Sequence, residues 1–281
     1  MSTLIDEMGR VNPTLIRLAQ KSGLEVSETI SPDGMNSILQ AHWIHRGTFR
    51  YEIQGERPTE EYIDILRELD CIDEFLAPIR TYSTFDGSLL LGTTLPRFRT
   101  RLATLKKEYD RGAHFKQVYL LGSERPLNPQ KESFDDLRFP KEGLPIKKTW
   151  DVATVPLPTN EIDMMHYVVD QSDIPTEWEV IVIKTSNVAL QGAGFRYANT
   201  GDTFVQWQKD TRFVDGRFLI VSNQPFVRYQ ETNARRILPQ EMLLFGIGHM
   251  ANVELPLGTF LDNLAKQLYE ESLLQKRFVD S

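Results

Sequence analysis

Several stretches of the chain carry residues suited to holding a polar metabolite, and they share one arrangement: an apolar run stops in small polar residues and a helical pattern starts. Gly92 and Thr93 follow the first run, Gly122 and Ser123 the second with Arg125 two residues on, and Ser222, Asn223, Gln224 and Pro225 follow residues 218–221. Glu161 lies in the first turn of a helix opened by Thr159 or Asn160, and Asn199, Thr200, Gly201 and Asp202 open another. Such turns expose unpaired backbone amides at the start of a helix, where anions and hydroxyl groups are held. Glycine lets a backbone approach a ligand or a neighbour closely.

On this reading Thr93, Ser123 and Thr200 are hydrogen-bond partners for a ligand, Glu161 or Asp202 accepts from ribose hydroxyls, and Arg125 and Arg228 hold a carboxylate or phosphate. Each residue has a plainer role open to it. Thr159, Asn160 and Glu161 also suit helix capping and the positive end of the helix dipole, Asp202 also suits stabilising a helix N-terminus, and Arg228 is equally a solvated surface charge. The glycines of residues 192–197 miss the GxGxxG dinucleotide pattern, because Tyr197 stands at the third position, and no Walker A lysine follows a glycine-rich loop. His42 and His45 share a helical face but have no carboxylate or cysteine at matching spacing, so no metal is expected. His166 lies on the stripe of Ile162, Met165 and Val169 and is expected to be packed or partly exposed. Cys71, the only cysteine, excludes an intrachain disulfide and sits in an apolar-periodic segment, where a packed thiol is expected.

The elements that must position these residues are legible in the periodicity. Runs at residues 88–91, 117–121, 179–184, 218–221 and 241–246 have the length and composition of buried strands. Residues 95–112 read as a helix burying Leu95, Phe98, Leu102 and Leu105 and closed by Gly112, and a weak strand is expected at 150–155. Residues 126–148 are rich in proline and charge and read as an inserted surface loop. The first 80 residues read as mostly helical, with one helix before Gly23, a turn at 32–34 leading into a short helix, and one capped by Thr59 that carries Leu66, Leu69 and Ile72. Residues 251–281 supply a C-terminal amphipathic helix. The expected organisation is a helical extension over 1–80 packed on the core, an α/β domain over 81–250 and a final helix over 251–281.

Composition excludes several classes. The formal charge of −7 over 281 residues argues against a general nucleic-acid binder, which needs a basic field. The apolar runs are too short to span a bilayer, and the first residues have neither a basic nor an apolar signal region, so a cytoplasmic protein is expected.

In order and spacing, LLLGTTLPRFRTRLATLKKE, VYLLGS, PTNEIDMM, ANTGDTFVQW and FLIVSNQPFVRYQETNARR resemble the YdcF/SanA/ElyC-type family of bacterial proteins, the YdcF-like branch above all. The resemblance spans residues 88–238. It implies a Rossmann-like, mostly parallel α/β sheet flanked by helices and a ligand site at the carboxyl edge, with S-adenosylmethionine or a nucleotide as the cofactor class. Family positions fall on Gly92 and Thr93, Gly122 and Ser123, Glu161, Asn199, Thr200 and Asp202, and Pro225, Phe226 and Arg228. Asp202 and Thr203 replace the usual Glu-Asn pair, and Phe226 replaces a histidine, so no acid–base role of that histidine carries over.

Two readings stay open. One is a binder of a polar small molecule, with catalysis undecided because no nucleophile or acid–base pair emerges. The other is a non-catalytic interaction protein using the N-terminal helices and residues 126–148, linked to envelope maintenance through the family, with a second copy of the chain among the candidate partners.

Overall fold

Each of the five apolar runs becomes a strand. In the computed structural model, which describes residues 3–45, 52–190, 192 and 194–279, these are β1 (Gly87–Leu91), β2 (Gln117–Ser123), β3 (Glu179–Thr185), β6 (Gly216–Asn223) and β7 (Met242–His249). A short hairpin, β4 (Val188–Ala189) and β5 (Phe195–Arg196), separates β3 from β6. The five pair in the order β3-β2-β1-β6-β7, every pair parallel. A parallel sheet must be covered on both faces. Here α4 (Leu95–Asp110) and α6 (Glu161–Gln171) cover one face, and α7 (Thr200–Thr211) packs on β2 and β3 from the other. The result is the Rossmann-like α/β architecture expected, with its order reversing between β1 and β6.

Helix α4 buries Leu95, Phe98, Leu102 and Leu105 as its spacing requires, and Gly112 ends it at φ +108°. Gly122 lets α6 approach β2: a Cβ there would lie 2.8 Å from Met165 Sδ and 3.0 Å from Ile162 Cδ1. On the other face Tyr119 meets Trp207 of α7 edge to face at 5.7 Å.

The chain forms two compact units. Residues 75–223 and 237–249 carry the sheet. Residues 1–74, 224–236 and 250–281 carry α1 (Pro13–Lys21), α2 (Pro32–His42), α3 (Glu60–Glu68), most of α8 (Val227–Ile237) and α9 (Leu257–Val279), around a core that includes Leu15, Leu39, Leu66, Phe260 and Leu264. Cys71 is buried in this unit, and burial pushes its thiol up to about 12.

Some expectations need correction. Residues 150–155 form turns, not a strand: Asp151 Oδ1 accepts from Ala153 N at 3.0 Å, a local bond that competes with strand pairing, and Trp150 packs edge to face on Tyr167 at 5.1 Å. Helix α3 stops at Glu68, before Leu69 and Ile72, as Asp70 takes φ +57°. Pro32 starts α2 rather than a preceding turn, because the Ser31 side chain caps it. Pro225 precedes α8, which begins at Val227. His166 is exposed and lies 3.5 Å from Asp170. Residues 126–148 are tied down: they contain α5 (Phe134–Arg138), Leu137 is fully buried, and Arg99 and Gln171 both donate to Leu137 O.

Gly122→Ala is therefore expected to lower unfolding stability by about 1–3 kcal/mol through overpacking against α6. Urea denaturation followed by tryptophan fluorescence checks this.

Candidate functional site

The carboxyl edge of the sheet is built from the strand ends and the turns that leave them. The reversal of order between β1 and β6 marks the point at which ligands of such sheets bind. The guanidinium of Arg101, 2 % exposed, spans this point from α4. It donates to Leu91 O at 2.8 Å and Gly92 O at 3.0 Å on the β1 side, and to Asn223 Oδ1 at 3.0 Å on the β6 side. The sequence reading passed over Arg101. The signal is present, since Arg101 lies three residues after Phe98 and four before Leu105, within the buried stripe of α4.

Beside it, the expected residues of β2 and α6 meet. Glu161 heads α6 because Asn160 caps that helix, accepting from Asp163 N, and its carboxylate turns back to the end of β2. Glu161 Oε2 accepts from Ser123 N at 3.0 Å and Ser123 Oγ at 2.7 Å. A Cβ at Gly92 would lie 2.9 Å from the same carboxylate, so glycine here admits Glu161. Glu161 Oε1 is approached by Arg125 Nη2 at 3.5 Å, the outer limit of a hydrogen bond. Arg125 is otherwise held in a two-bond pair with Glu132, both at 2.9 Å, and Glu132 also accepts from Asn128 N. Glu132 is 1 % exposed, which makes the pair a buried one. The sequence reading missed Glu132, which has only its spacing of seven residues from Arg125 to mark it.

The residues expected at α7 form a cluster of their own. Asn199 and Asp202 make a capping box, and Asp202 also receives Arg196 through bonds of 2.6 and 3.0 Å. Burial raises the Asp202 carboxyl, but the Arg196 and Asn199 bonds outweigh it and hold it below the usual range. Thr200 begins the helix and Thr93 follows Gly92 directly, both half-buried. Gly122 serves helix packing, as described above. Arg228 belongs to the other unit, where its side chain lies 3.3 Å from Asp70 and 3.4 Å from Glu231.

In register with Ser123 stands Thr185, at the end of β3, followed by Asn187. Both escaped the sequence reading. The signal was a strand ending in Thr185, Ser186 and Asn187, of the same kind as Ser222 and Asn223 after β6.

A hollow of about 650 Å³ opens at the opposite, amino end of the sheet, lined by Phe85, Tyr109, Phe115, Gln117 and Glu179 among others. There the Tyr109 hydroxyl donates to Glu177, raising the phenol and lowering the carboxyl. Ligands of open α/β sheets bind at the other edge. Among the described residues no group of three or more His, Cys, Asp or Glu is placed to hold a metal ion, and no helix is long and apolar enough to cross a membrane. No protein-family model and no curated protein matches the chain.

Two outcomes follow from this geometry. Glu132→Ala leaves the Arg125 charge buried without its main partner and is expected to cost about 3 kcal/mol in urea unfolding. Asp202→Ala removes half of the capping box and is expected to cost about 1 kcal/mol near neutral pH. Because the folded carboxyl is lowered, that advantage is present above its unfolded value of about 3.9 and lost as pH falls through the folded value. Thermal melts of both proteins should therefore converge in strong acid.

Proposed function

We propose that the chain binds a polar small molecule of the nucleotide or S-adenosylmethionine class at the carboxyl edge of its sheet, as a YdcF-like cytoplasmic protein. The observation that carries this reading is the strand order, whose reversal between β1 and β6 sets Gly92 and Thr93 against Ser222 and Asn223. Helix α4 starts at this point, its N-cap residue Thr94 following Gly92 and Thr93 directly. The buried Arg101 adds positive charge beneath, which favours a phosphate or carboxylate.

Binding is favoured over acid–base chemistry by how the rim carboxylates are used. Glu161 is engaged by Ser123 and Arg125, and Asp202 by Arg196 and Asn199. A second reading, an interaction protein, draws on exposed apolar side chains in residues 126–148: Phe134 is 54 % and Phe139 64 % exposed. Exposed apolar patches mark contact surfaces.

A thermal-shift screen of adenine nucleotides and S-adenosylmethionine tests the first reading. A ligand at a hundred times its Kd stabilises by about 2.7 kcal/mol, enough to raise Tm by several degrees. Thr93→Val is expected to keep the unliganded Tm and lose most of the shift. If no compound moves the wild-type Tm, the binding proposal fails and the interaction reading takes its place.

A further inference from the structure

Thr185 is 6 % exposed, and its hydroxyl oxygen is buried without a hydrogen-bond partner. Two residues on, Asn187 Oδ1 is in the same state. Buried polar atoms in folded proteins almost always find partners, because leaving one unpaired forfeits its bonds to water. Among the buried polar atoms left without a partner, these two lie two residues apart at one strand end, where another molecule can complete the bonding. The neighbouring Ser123 does not supply it: its N–H and hydroxyl donate to Glu161, and its oxygen accepts from Arg125 N at 3.3 Å.

The hairpin that follows adds an exposed aromatic ring. Phe195 is 57 % exposed and lies edge to face with Tyr197, ring centroids 5.7 Å apart. Alternation along β5 and the residue after it puts both rings on one side. The base of the hairpin is fixed by the two bonds from Arg196 to Asp202 in the first turn of α7. An aromatic ring exposed on an anchored strand is a stacking platform that needs little ordering on binding.

We propose that the end of β3 and the β4–β5 hairpin receive the nucleobase of the ligand, with Thr185 Oγ1 and Asn187 Oδ1 bonding the polar edge of the ring and Phe195 lying against its face. The proposal rests on the binding reading above and extends it from the switch point to a defined orientation. The orphan groups are neutral, which suits ring nitrogens and exocyclic amines better than a phosphate. Strands two apart are about 10 Å apart. A base held at β3 thus leaves the sugar and its charged substituent to run along the edge past Ser123 to the switch point between β1 and β6.

Isothermal calorimetry with AMP, adenosine and S-adenosylmethionine tests this, with ribose 5-phosphate as the probe that lacks a base. Wild-type protein is expected to bind the base-bearing probes and to bind ribose 5-phosphate at least ten-fold more weakly. Thr185→Val should weaken the base-bearing probes about ten-fold while the unliganded Tm stays or rises, since a methyl group replaces an unsatisfied hydroxyl. A purely structural hydroxyl would not separate these two readouts. Phe195→Ala should weaken them by a similar factor, and Phe195→Trp should restore binding. If both variants bind as wild type does, or if ribose 5-phosphate binds as well as AMP, the base is not held here and the binding reading stands alone. If no probe binds, both fall.

Discussion

The guanidinium of Arg101 is the interaction on which the carboxyl edge depends. Strand order reverses between β1 and β6, the point at which ligands of such sheets bind. Arg101 reaches from α4 to the carbonyls of Leu91 and Gly92 and to the side chain of Asn223, joining the two ends with charge-assisted bonds shielded from water. Such bonds are worth roughly 1.5–3 kcal/mol each, more than neutral ones. One side chain thus fixes the ends of β1 and β6 relative to each other and places a positive charge where they meet.

Around that centre the polar residues of the rim are largely consumed by one another. Glu161 closes on Ser123, Arg125 on Glu132, and Asp202 on Asn199 and Arg196. A buried charge left unpaired costs several kcal/mol, so proximity at a strand end leads to pairing wherever geometry allows. The consequence is a rigid frame in which the charged groups hold loops in place. Unused bonding capacity is left on neutral groups, the orphaned oxygens of Thr185 and Asn187. The same economy holds in the helical unit, where Arg228 lies between Asp70 and Glu231.

Much of the frame could be read from local signals. The strand 218–221 was plain because four apolar residues stop at Ser222, and β6 extends it by two residues before and two after. Helix α7 begins at Thr200 because Asn199 and Asp202 form their capping box within four residues of chain. The failures are equally local in cause. Residues 150–155 have strand-like composition, but the Asp151 side chain turns the backbone and Trp150 has an aromatic partner in Tyr167.

The sequence by itself determined the five strands of the sheet and most of the helices, because periodicity and capping act over a few residues. It also determined that glycines stand where two of the strands end. Only the tertiary structure decided what those residues face: Gly92 admits the Glu161 carboxylate, Gly122 admits Met165, and Arg101 reaches Asn223 across 122 positions of chain. Pairing over such separations depends on how the strands are ordered in space. No local pattern records that order, so the partners of Glu161, Arg101 and Arg125, and the lack of any for Thr185 Oγ1, emerge only once the sheet is assembled.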